Sequence, residues 1–174
     1  MNIALKMPPV TPGPTTEAIP KSASLPPAQQ YHNPIPVVIG LVPVVSVHDG
    51  QERVGLLTVR RGIEPAIGKL ALPGGYLEYE DWKTGCTREI LEETGLAISE
   101  SDILDTASLS SVQNGTRLLI FAQTKPVDAA QLERFTPNSE TEELVVIYEP
   151  TDLAFPTHTA QARRFFESLR TTAN

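Results

Sequence analysis

The amino-acid sequence predicts an α/β (α+β) fold in which a mixed β-sheet lies between helices. Apolar, β-branched runs of strand length recur from residue 36 onward, and two other segments carry the periodicity of helices. The order along the chain is strands, helix, strands, helix, which is typical of layered domains. With 174 residues and 40% hydrophobic content, the chain is long enough to bury one core of this kind.

Six segments have the length and composition of β-strands. They are residues 36–47, 54–61, 70–72, 102–112, 116–125 and 143–148. The pairs DG at 49–50 and NG at 114–115 each separate two of these segments, and such pairs favour the tight turns of β-hairpins. Residues 73–75 (PGG) are predicted to form a turn that leads toward the first helix.

Two segments are predicted to be helices. The first begins after Asp81, a favourable N-cap, and ends at Thr94, because Gly95 can adopt the left-handed conformation that closes a helix. Its apolar face comprises Trp82, Cys86 and Ile90. The second is an amphipathic helix near the end of the chain, residues 159–170 (TAQARRFFESLR).

The first 34 residues differ in composition from the rest. They include MPPVTPGPTTEAIPKSASLPPAQQ, which is rich in Pro, Ser and Thr and has few large apolar residues. Because such a segment cannot offset the entropy of ordering, we expect an extended or disordered tail, either a plain linker or a ligand for an SH3-type domain. The predicted domain therefore covers residues 35–174.

Charge and composition restrict the partners. The net charge of −7 argues against a nucleic-acid polymer, whose binding proteins usually carry a basic stripe. No apolar run reaches the roughly 18–20 residues of a membrane helix, and the N-terminus lacks the apolar segment of a secretory signal. The single cysteine excludes an internal disulfide. We expect a cytoplasmic protein without a membrane partner, and the sequence leaves room for a homodimer.

Three glutamates, Glu89, Glu92 and Glu93, lie in the last turn of the first predicted helix. A helix C-terminus carries partial negative charge, so acids there are unfavourable. Their i, i+3 and i+4 spacing makes the carboxylates converge, and a hard cation such as Mg²⁺ would relieve the repulsion. The alternative is a solvated acidic face held by salt bridges, for which the helix offers only Lys83 and Arg88. Arg88 is also a candidate for orienting the carboxylates.

The segment from Gly74 to Leu96 resembles the Nudix box of Nudix hydrolases. Gly74, five residues, Glu80, seven residues and then REILEETGL match its fixed positions, a coincidence that composition alone does not produce. The resemblance implies an αβα sandwich from about residue 35 onward, with Mg²⁺, or in its place Mn²⁺, as cofactor. The implied metal ligands are Glu89, Glu92, Glu93 and Glu80.

One feature departs from the family pattern. The family commonly reads Gly-Gly-x-x-Glu-x-Gly-Glu, whereas residues 74–81 (GGYLEYED) lack the glycine before Glu80, so this loop is one residue shorter. Either Gly74 or Gly75 then starts the box, and both are candidate substrate-binding residues. The shorter loop leaves the positions of Glu78 and Glu80 open.

The resemblance implies hydrolysis of a nucleoside diphosphate linked to another moiety. Such a reaction needs a base to take the proton of the attacking water. Glu89 is one candidate, and Glu143 and Glu140, in or before the strand at 143–148, are two others. Glu143 is preferred over Glu140, because a strand positions a side chain better than a loop does.

Arg60 and Arg61 close the second predicted strand and are either phosphate ligands or ordinary polar residues of a strand end. A lone histidine near a helix start, His158, is expected to be structural rather than catalytic, and Cys86 is expected in the core.

The substrate is weakly encoded. Residues 56–60 (LLTVR) match the opening of a pattern in coenzyme A-cleaving members, but Arg61 and the following loop do not. The SQPWPF-type motif of NADH-cleaving members is absent, and Ser110 and Ser111 stand where many ADP-ribose hydrolases carry proline. Nucleotide sugars or nucleoside triphosphates are the favoured substrates.

Two alternative functions share the fold. One is a non-catalytic nucleotide-binding sensor, which normally needs a partner domain or a decayed box. The other is an isomerase of isoprenoid diphosphates, which needs a cysteine near the start of the domain, whereas Cys86 lies within the box.

Overall fold

The computed structural model describes residues 33–113 and 115–172. The strands and α-helices of these residues are β1 (Ile35–Leu41), β2 (Pro43–His48), β3 (Gln51–Arg61), β4 (Leu70–Ala71), β5 (Gly74–Tyr76), α1 (Trp82–Thr94), β6 (Ile103–Val112), β7 (Arg117–Thr124), β8 (Val127–Asp128), β9 (Thr141–Ile147) and α2 (Pro156–Thr172). Two short 3₁₀ helices span Glu100–Asp102 and Ala129–Arg134. The predicted tail lies outside the described residues except for Asn33 and Pro34, so its boundary stays a prediction.

The strands form two sheets. The first has the order β5-β1-β7-β6, in which β1 and β7 are parallel and the other neighbours antiparallel. The second has the order β4-β3-β2-β8, with β9 paired to β3, and only β2 and β8 are parallel among its described strands. The predicted fold class is confirmed, and the predicted mixed sheet is divided into two.

The apolar run at 36–47, predicted to be one strand, forms two. β1 ends at Leu41 and β2 begins at Pro43, and these strands belong to different sheets. Proline has no N–H to donate, so it suits the first position of a strand better than the interior. Val42 between them is fully buried, and its carbonyl accepts a hydrogen bond from the Leu57 N–H at 3.0 Å. The single-strand prediction is wrong because the chain changes sheet at this residue.

The hairpin predicted at residues 49–50 is confirmed. His48 and Gln51 are paired across the turn, and Asp49 and Gly50 have φ angles of 51° and 74°. Positive φ at both central residues defines the turn whose twist matches that of paired strands. At the second predicted hairpin, β6 and β7 pair antiparallel as expected, while Asn114 is outside the described residues.

Three local predictions differ from the structure. Residues 74–76 continue into strand β5, which pairs with β1, rather than ending in a turn. β8 and the 3₁₀ helix Ala129–Arg134 have no apolar periodicity and were not predicted. β9 begins at Thr141 and α2 at Pro156, both earlier than expected. For α2 the reason is that a proline at a helix start carries no apolar signal.

The core is divided between the two faces of the sheets. Alternate residues of a strand point to opposite faces, and Val38 and Ile39 of β1 accordingly belong to different apolar clusters. The cluster on the α1 side includes Val38, Val42, Leu57, Cys86 and Ile90, with Trp82 partly buried against it. The cluster on the α2 side includes Ile39, Leu56, Phe121, Ala162, Phe165 and Phe166. This layering is the predicted αβα sandwich.

Among the described residues, β6 is one of the two edge strands of the first sheet. Its pairing with β7 is interrupted between Ile103 and Asp105 and again between Thr106 and Ser108. The Gln161 side chain of α2 donates from Nε2 to the Ser108 hydroxyl at 2.8 Å. Within the part of the chain that the structure describes, neither helix is long and apolar enough to cross a membrane.

The burial of α1 can be tested with two neighbouring residues. Ile90 is fully buried, whereas Leu91 is 48% exposed. We expect Ile90→Ala to lower the free energy of unfolding by about 2–5 kcal/mol, because it opens a cavity in the core. Leu91→Ala should change it by roughly 0.5 kcal/mol or less. Urea unfolding of both variants measures this, and equal losses would contradict the orientation of the helix.

Candidate active site

The helix that carries the acidic cluster has the predicted bounds. Asp81 caps its N-terminus by accepting a hydrogen bond from the Lys83 N–H at 2.9 Å. Gly95 closes it with φ 69°, and its N–H donates to the Leu91 carbonyl at 2.8 Å. The last turn contains no basic residue. The negative end of the helix is therefore not balanced by a cation on its own last turn.

Two of the acidic side chains are buried against strand β5. Glu89 and Glu93 are only 8% and 5% exposed. The Gly74 N–H donates to Glu93 Oε2 at 2.9 Å. A Cβ on Gly75 would overlap the Glu89 carboxylate, and a Cβ on Gly74, whose φ is 153°, would overlap the Val38 carbonyl. Gly75 is therefore needed for β5 to lie close to Glu89, and Gly74 for β5 to lie close to β1.

Arg88 links the acids of the helix to the loop before it. Its Nη1 donates to Glu89 Oε1 at 2.8 Å and to Glu92 Oε2 at 3.1 Å. Its Nη2 donates to Glu80 Oε1 at 2.7 Å and to the Tyr76 carbonyl at 3.1 Å, and its Nε reaches the same Glu80 oxygen at 3.0 Å. The hydrogen bond with Glu80 is the main cause that raises the pKa of Arg88. The predicted orienting contacts of Arg88 are thus present.

Glu80 reaches the site despite the shorter loop. Its hydrogen bond from Arg88 lowers the pKa of Glu80, so this residue is held as a carboxylate. Gly85 on α1 makes the approach feasible, because a Cβ there would press on Leu77 and on the Glu80 carboxylate. In this structure Glu80 binds Arg88, and the role of Glu80 as a metal ligand stays a prediction.

The environments of Glu89 and Glu93 disfavour their negative charges. Burial raises the pKa of Glu93 to about 8, with Glu89 and Glu140 adding to the shift while the Gly74 N–H and Arg61 oppose it. Burial also raises the pKa of Glu89, partly against Arg88, and Glu92 and Glu140 add to that shift. Carboxylates so placed are stabilised by an added cation.

The two candidate bases near β9 have different surroundings. Glu143 is bound to Arg60, whose Nε donates to Glu143 Oε2 at 2.7 Å. It also lines an open groove of about 510 Å³ whose lining includes Leu132 and Phe135 but none of the α1 glutamates. Glu140, in contrast, acts electrostatically on both Glu89 and Glu93. Glu143 is thus engaged by Arg60, whereas the charge of Glu140 acts on the acidic cluster, and the choice between these two bases stays a prediction.

Arg60 and Arg61 also have different surroundings. Arg60 donates to the Gly68 carbonyl at 2.9 Å in addition to its Glu143 contact. The Arg61 guanidinium binds the Pro65 carbonyl at 2.8 Å and lies 5.2 Å from the centre of the Phe155 ring. Its charge acts on Glu93. A register shift between the two arginines accompanies this difference, and Arg61 is the one electrostatically coupled to the acidic cluster.

His158 has the structural role that the sequence suggested. Its side chain is buried between Phe121 and Phe155, with ring centres 5.7 and 5.0 Å away. Its Nδ1 accepts a hydrogen bond from the Leu72 N–H at 3.1 Å. Burial, together with the charge of Arg61, lowers the pKa of His158 to about 4, so the ring is neutral and can accept this bond. His158 thereby fixes the segment that leads into β5.

Two residues at the site escaped the sequence motifs. Gly85, inside a helix, gave a weak signal, since an interior glycine often marks a close approach. Asn138 lies in the loop before β9, and its side chain contacts both that loop and the end of α1. An asparagine shortly before a strand suggests a local turn but does not reveal such a distant partner.

The acids converge only in part. Among the described residues, no three acidic, histidine or cysteine side chains are grouped closely enough to form a ready metal site. Arg88 binds both Glu89 and Glu92, and Glu93 is turned toward the Gly74 N–H. The donors are nevertheless the oxygen ligands that hard divalent cations prefer, and two of them are buried. The chemistry of these donors therefore fits a divalent cation. In the present arrangement, Arg88 binds two of the carboxylates that would bind that cation.

The fold and this acidic helix define a family of hydrolases. The family model described as NUDIX domain matches residues 40–169, most of the chain. The chain therefore belongs to the NUDIX family, and this membership supports a pyrophosphohydrolase of the Nudix class. A search of curated proteins found no match.

Solved structures agree with this fold. A NUDIX hydrolase from Nitrosomonas europaea is 24% identical, with a TM-score of 0.63 over 87% of this chain and 84% of its own. A MutT/nudix family protein from Enterococcus faecalis is 20% identical (TM-score 0.59), and the alignment covers 75% of this chain but only 48% of that longer protein. The NUDIX domain of Shewanella oneidensis NrtR, in complex with ADP ribose, is 14% identical (TM-score 0.54; 87% and 95% covered).

Neutralising Glu93 should stabilise the protein in the absence of divalent cations. The pKa of Glu93 is raised from 4.5 to about 8, so its contribution to stability is complete below about pH 4.5 and is lost as pH rises toward 8. Glu93→Gln removes the buried charge while keeping an acceptor for the Gly74 N–H. We expect its stability advantage over wild type to grow by on the order of 3 kcal/mol between about pH 5 and pH 8.

Chemical unfolding at several pH values in EDTA measures this advantage. The control is Glu92→Gln, since the Glu92 side chain is 57% exposed and its substitution should change stability little. A Glu93→Gln variant that is less stable than wild type at about pH 8 would contradict the assignment of Glu93 as a destabilised buried acid.

Proposed function

We propose that this protein hydrolyses the diphosphate linkage of a nucleoside diphosphate joined to another moiety, with Mg²⁺ or Mn²⁺ as cofactor. One observation carries the proposal: two buried carboxylates, Glu89 and Glu93, lie beside the β5 glycines in surroundings that disfavour negative charge. Natural proteins retain such an arrangement at functional sites, where perturbed pKa values cluster.

The residues of the site have separate roles in this proposal. Glu89, Glu92 and Glu93 would hold the cation, which when bound supplies positive charge for the phosphate oxygens and acidifies water. Arg88 keeps the carboxylates in place through the contacts with Glu80 and the Tyr76 carbonyl. Gly74 and Gly75, the predicted substrate-binding glycines, let β5 lie close to β1 and to Glu89, and Gly74 donates its N–H to Glu93.

Arg61 is the preferred phosphate ligand. The positive charge of Arg61 opposes the rise in the pKa of Glu93. Arg60, in contrast, is bound to Glu143 and to the Gly68 carbonyl. A guanidinium suits phosphate because it can donate two parallel hydrogen bonds. Its present partners are the Pro65 and Ile63 carbonyls, at 2.8 and 3.5 Å, and the second of these bonds is long enough to exchange easily.

Glu140 is the preferred general base. Its negative charge helps to raise the pKa of both Glu89 and Glu93, which supports a carboxylate close to these acids. In the reaction, a carboxylate oxygen of Glu140 takes a proton from water while the water oxygen bonds to phosphorus. The bond from phosphorus to the bridging oxygen breaks, and the leaving phosphate keeps the electron pair. Glu89 is the alternative base.

Nucleotide sugars and nucleoside triphosphates remain the favoured substrates, and the ADP ribose bound to the NrtR domain adds a third. A non-catalytic nucleotide sensor is the second candidate function. The observation that favours it is the present hold of Arg88 on Glu89 and Glu92, which leaves no three acids grouped for a metal among the described residues. Turnover distinguishes the two functions.

Metal-dependent cleavage is the first expected outcome. A panel of nucleotide sugars, ADP ribose, dinucleotides and nucleoside triphosphates with Mg²⁺ or Mn²⁺ should yield a nucleoside monophosphate or pyrophosphate from at least one compound. Mass spectrometry identifies the products. Excess EDTA should stop the reaction, and added metal should restore it. Tight nucleotide binding without any turnover would establish the sensor instead.

The choice of base is tested by kcat of three glutamine variants. Glu93→Gln should nearly abolish turnover, and Glu140→Gln should lower kcat by about 10²–10⁴-fold, the usual contribution of a general base. Glu143→Gln should stay close to wild type, because its partner is Arg60. The exposed Glu142 offers a matched control, Glu142→Gln. If Glu140→Gln keeps near-normal kcat with an intact fold, the base lies within the box and Glu89 replaces it.

A further inference from the structure

Asn138 joins the loop before β9 to the end of α1 through its side chain. Its Nδ2 donates to the Glu92 carbonyl at 3.0 Å. Its Oδ1 accepts from the Glu140 N–H at 2.9 Å and from the Thr141 N–H at 2.8 Å. Glu92 lies 46 residues before Asn138 in the sequence, whereas Glu140 and Thr141 follow it closely, so one amide connects two distant parts of the chain.

The chemistry of the three bonds requires an amide. Glu92 offers an acceptor, whereas Glu140 and Thr141 offer donors, and an asparagine side chain carries both functions. An aspartate could accept from the two N–H groups but could not donate to the carbonyl. A serine is shorter and has a single oxygen for all three partners.

The bonds fix the backbone of Glu140 on both sides. Its N–H is bound by Asn138, and its carbonyl accepts a hydrogen bond from the Gly62 N–H at 2.7 Å. The Asn138 N–H in turn donates to the Thr141 carbonyl at 3.0 Å. A loop held in this way has a fixed backbone at Glu140, and this restricts the positions that the Glu140 side chain can reach.

We propose that Asn138 is a positioning residue that sets the place of the Glu140 carboxylate relative to Glu89 and Glu93. The carbonyl that it binds belongs to Glu92, within the acidic turn of α1 itself. Asn138 therefore connects the loop that carries Glu140, the proposed base, directly to α1, which carries the proposed metal ligands. This inference rests on the proposed function, since it gives Asn138 a role through Glu140.

Kinetics in two backgrounds test the role of Asn138. Asn138→Ala in the wild-type enzyme should lower kcat by roughly 10–100-fold with KM nearly unchanged, because a misplaced base slows proton transfer. In a Glu140→Gln background the same substitution should cost less than about 2-fold, since residues that act as a unit are not additive. Equal fold-losses in both backgrounds would overturn the inference.

Amide hydrogen exchange gives a second measurement that needs no substrate. The amides of Glu140 and Thr141 should be protected in the wild type and exchange faster in Asn138→Ala, while the α1 amides stay protected. Unchanged exchange at these two amides overturns the inference whether or not the enzyme turns over. A wild type that cleaves no compound of the panel overturns the hydrolase proposal instead, so the two failures are distinguishable.

Two further variants complete the design. Gln131→Ala removes an amide side chain that accepts from the Asp128 N–H at 2.9 Å in the neighbouring 3₁₀ helix, and it should leave kcat unchanged. If Asn138→Ala does not fold, Asn138→Asp serves in its place, because a carboxylate can still accept from both amides. It should keep their protection but lose kcat, and a wild-type kcat there would overturn the tie to Glu92.

Discussion

The Arg88 guanidinium is the contact on which the site depends. It binds Glu80, Glu89, Glu92 and the Tyr76 carbonyl, and so joins the helix, the preceding loop and strand β5. Its side chain is only 26% exposed, so the ion pairs are partly removed from water. Loss of Arg88 itself would leave these carboxylates without compensation for their charges, which costs more than the lost contacts alone. The acidic turn is tolerable in this fold because one cation binds two of its carboxylates, Glu89 and Glu92, together with Glu80.

A second constraint is the close approach of β5 to that turn. Gly75 has no side chain that would separate the strand from Glu89, and Gly74, which lies against Val38 of β1, donates its N–H to Glu93. The cost is that both acids lose water, and among the described residues the Gly74 N–H and Arg88 replace part of that hydration. A charged group buried without full compensation lowers the stability of the fold. The site is thus a place where the chain gives up stability, as functional sites commonly do.

Local signals in the sequence were sufficient for α1. Asp81 and Gly95 mark its ends through local capping, by a side-chain acceptor and by a left-handed glycine. The apolar positions Cys86 and Ile90 identify its buried face. The change of sheet at Val42 could not be predicted in this way, since an apolar run carries no sign of which strands it will pair with. Register between distant strands is a tertiary property.

The choice of candidate base also depends on contacts between distant segments, which the local sequence does not reveal. The preference for Glu143 came from its place on a strand, but the opposite strand brings Arg60 beside it. Glu140 lies in a loop whose order comes from Asn138 and Gly62, and neither partner is visible in the local sequence. Side chains on a helix could therefore be assigned from spacing, while those that depend on contact between distant segments required the fold.

The interrupted pairing of β6 affects self-association of the protein in concentrated solution. Within the described part of the chain, β6 is a long edge strand with no partner on its outer side, and it exposes Leu104 and Leu109. Such a strand offers backbone groups on which another chain could assemble. Its two irregularities bend and twist the strand, so a straight, continuous template is not presented. Irregular geometry at this edge thus opposes intermolecular β-sheet growth. Straightening the strand would favour aggregation without any change in α1.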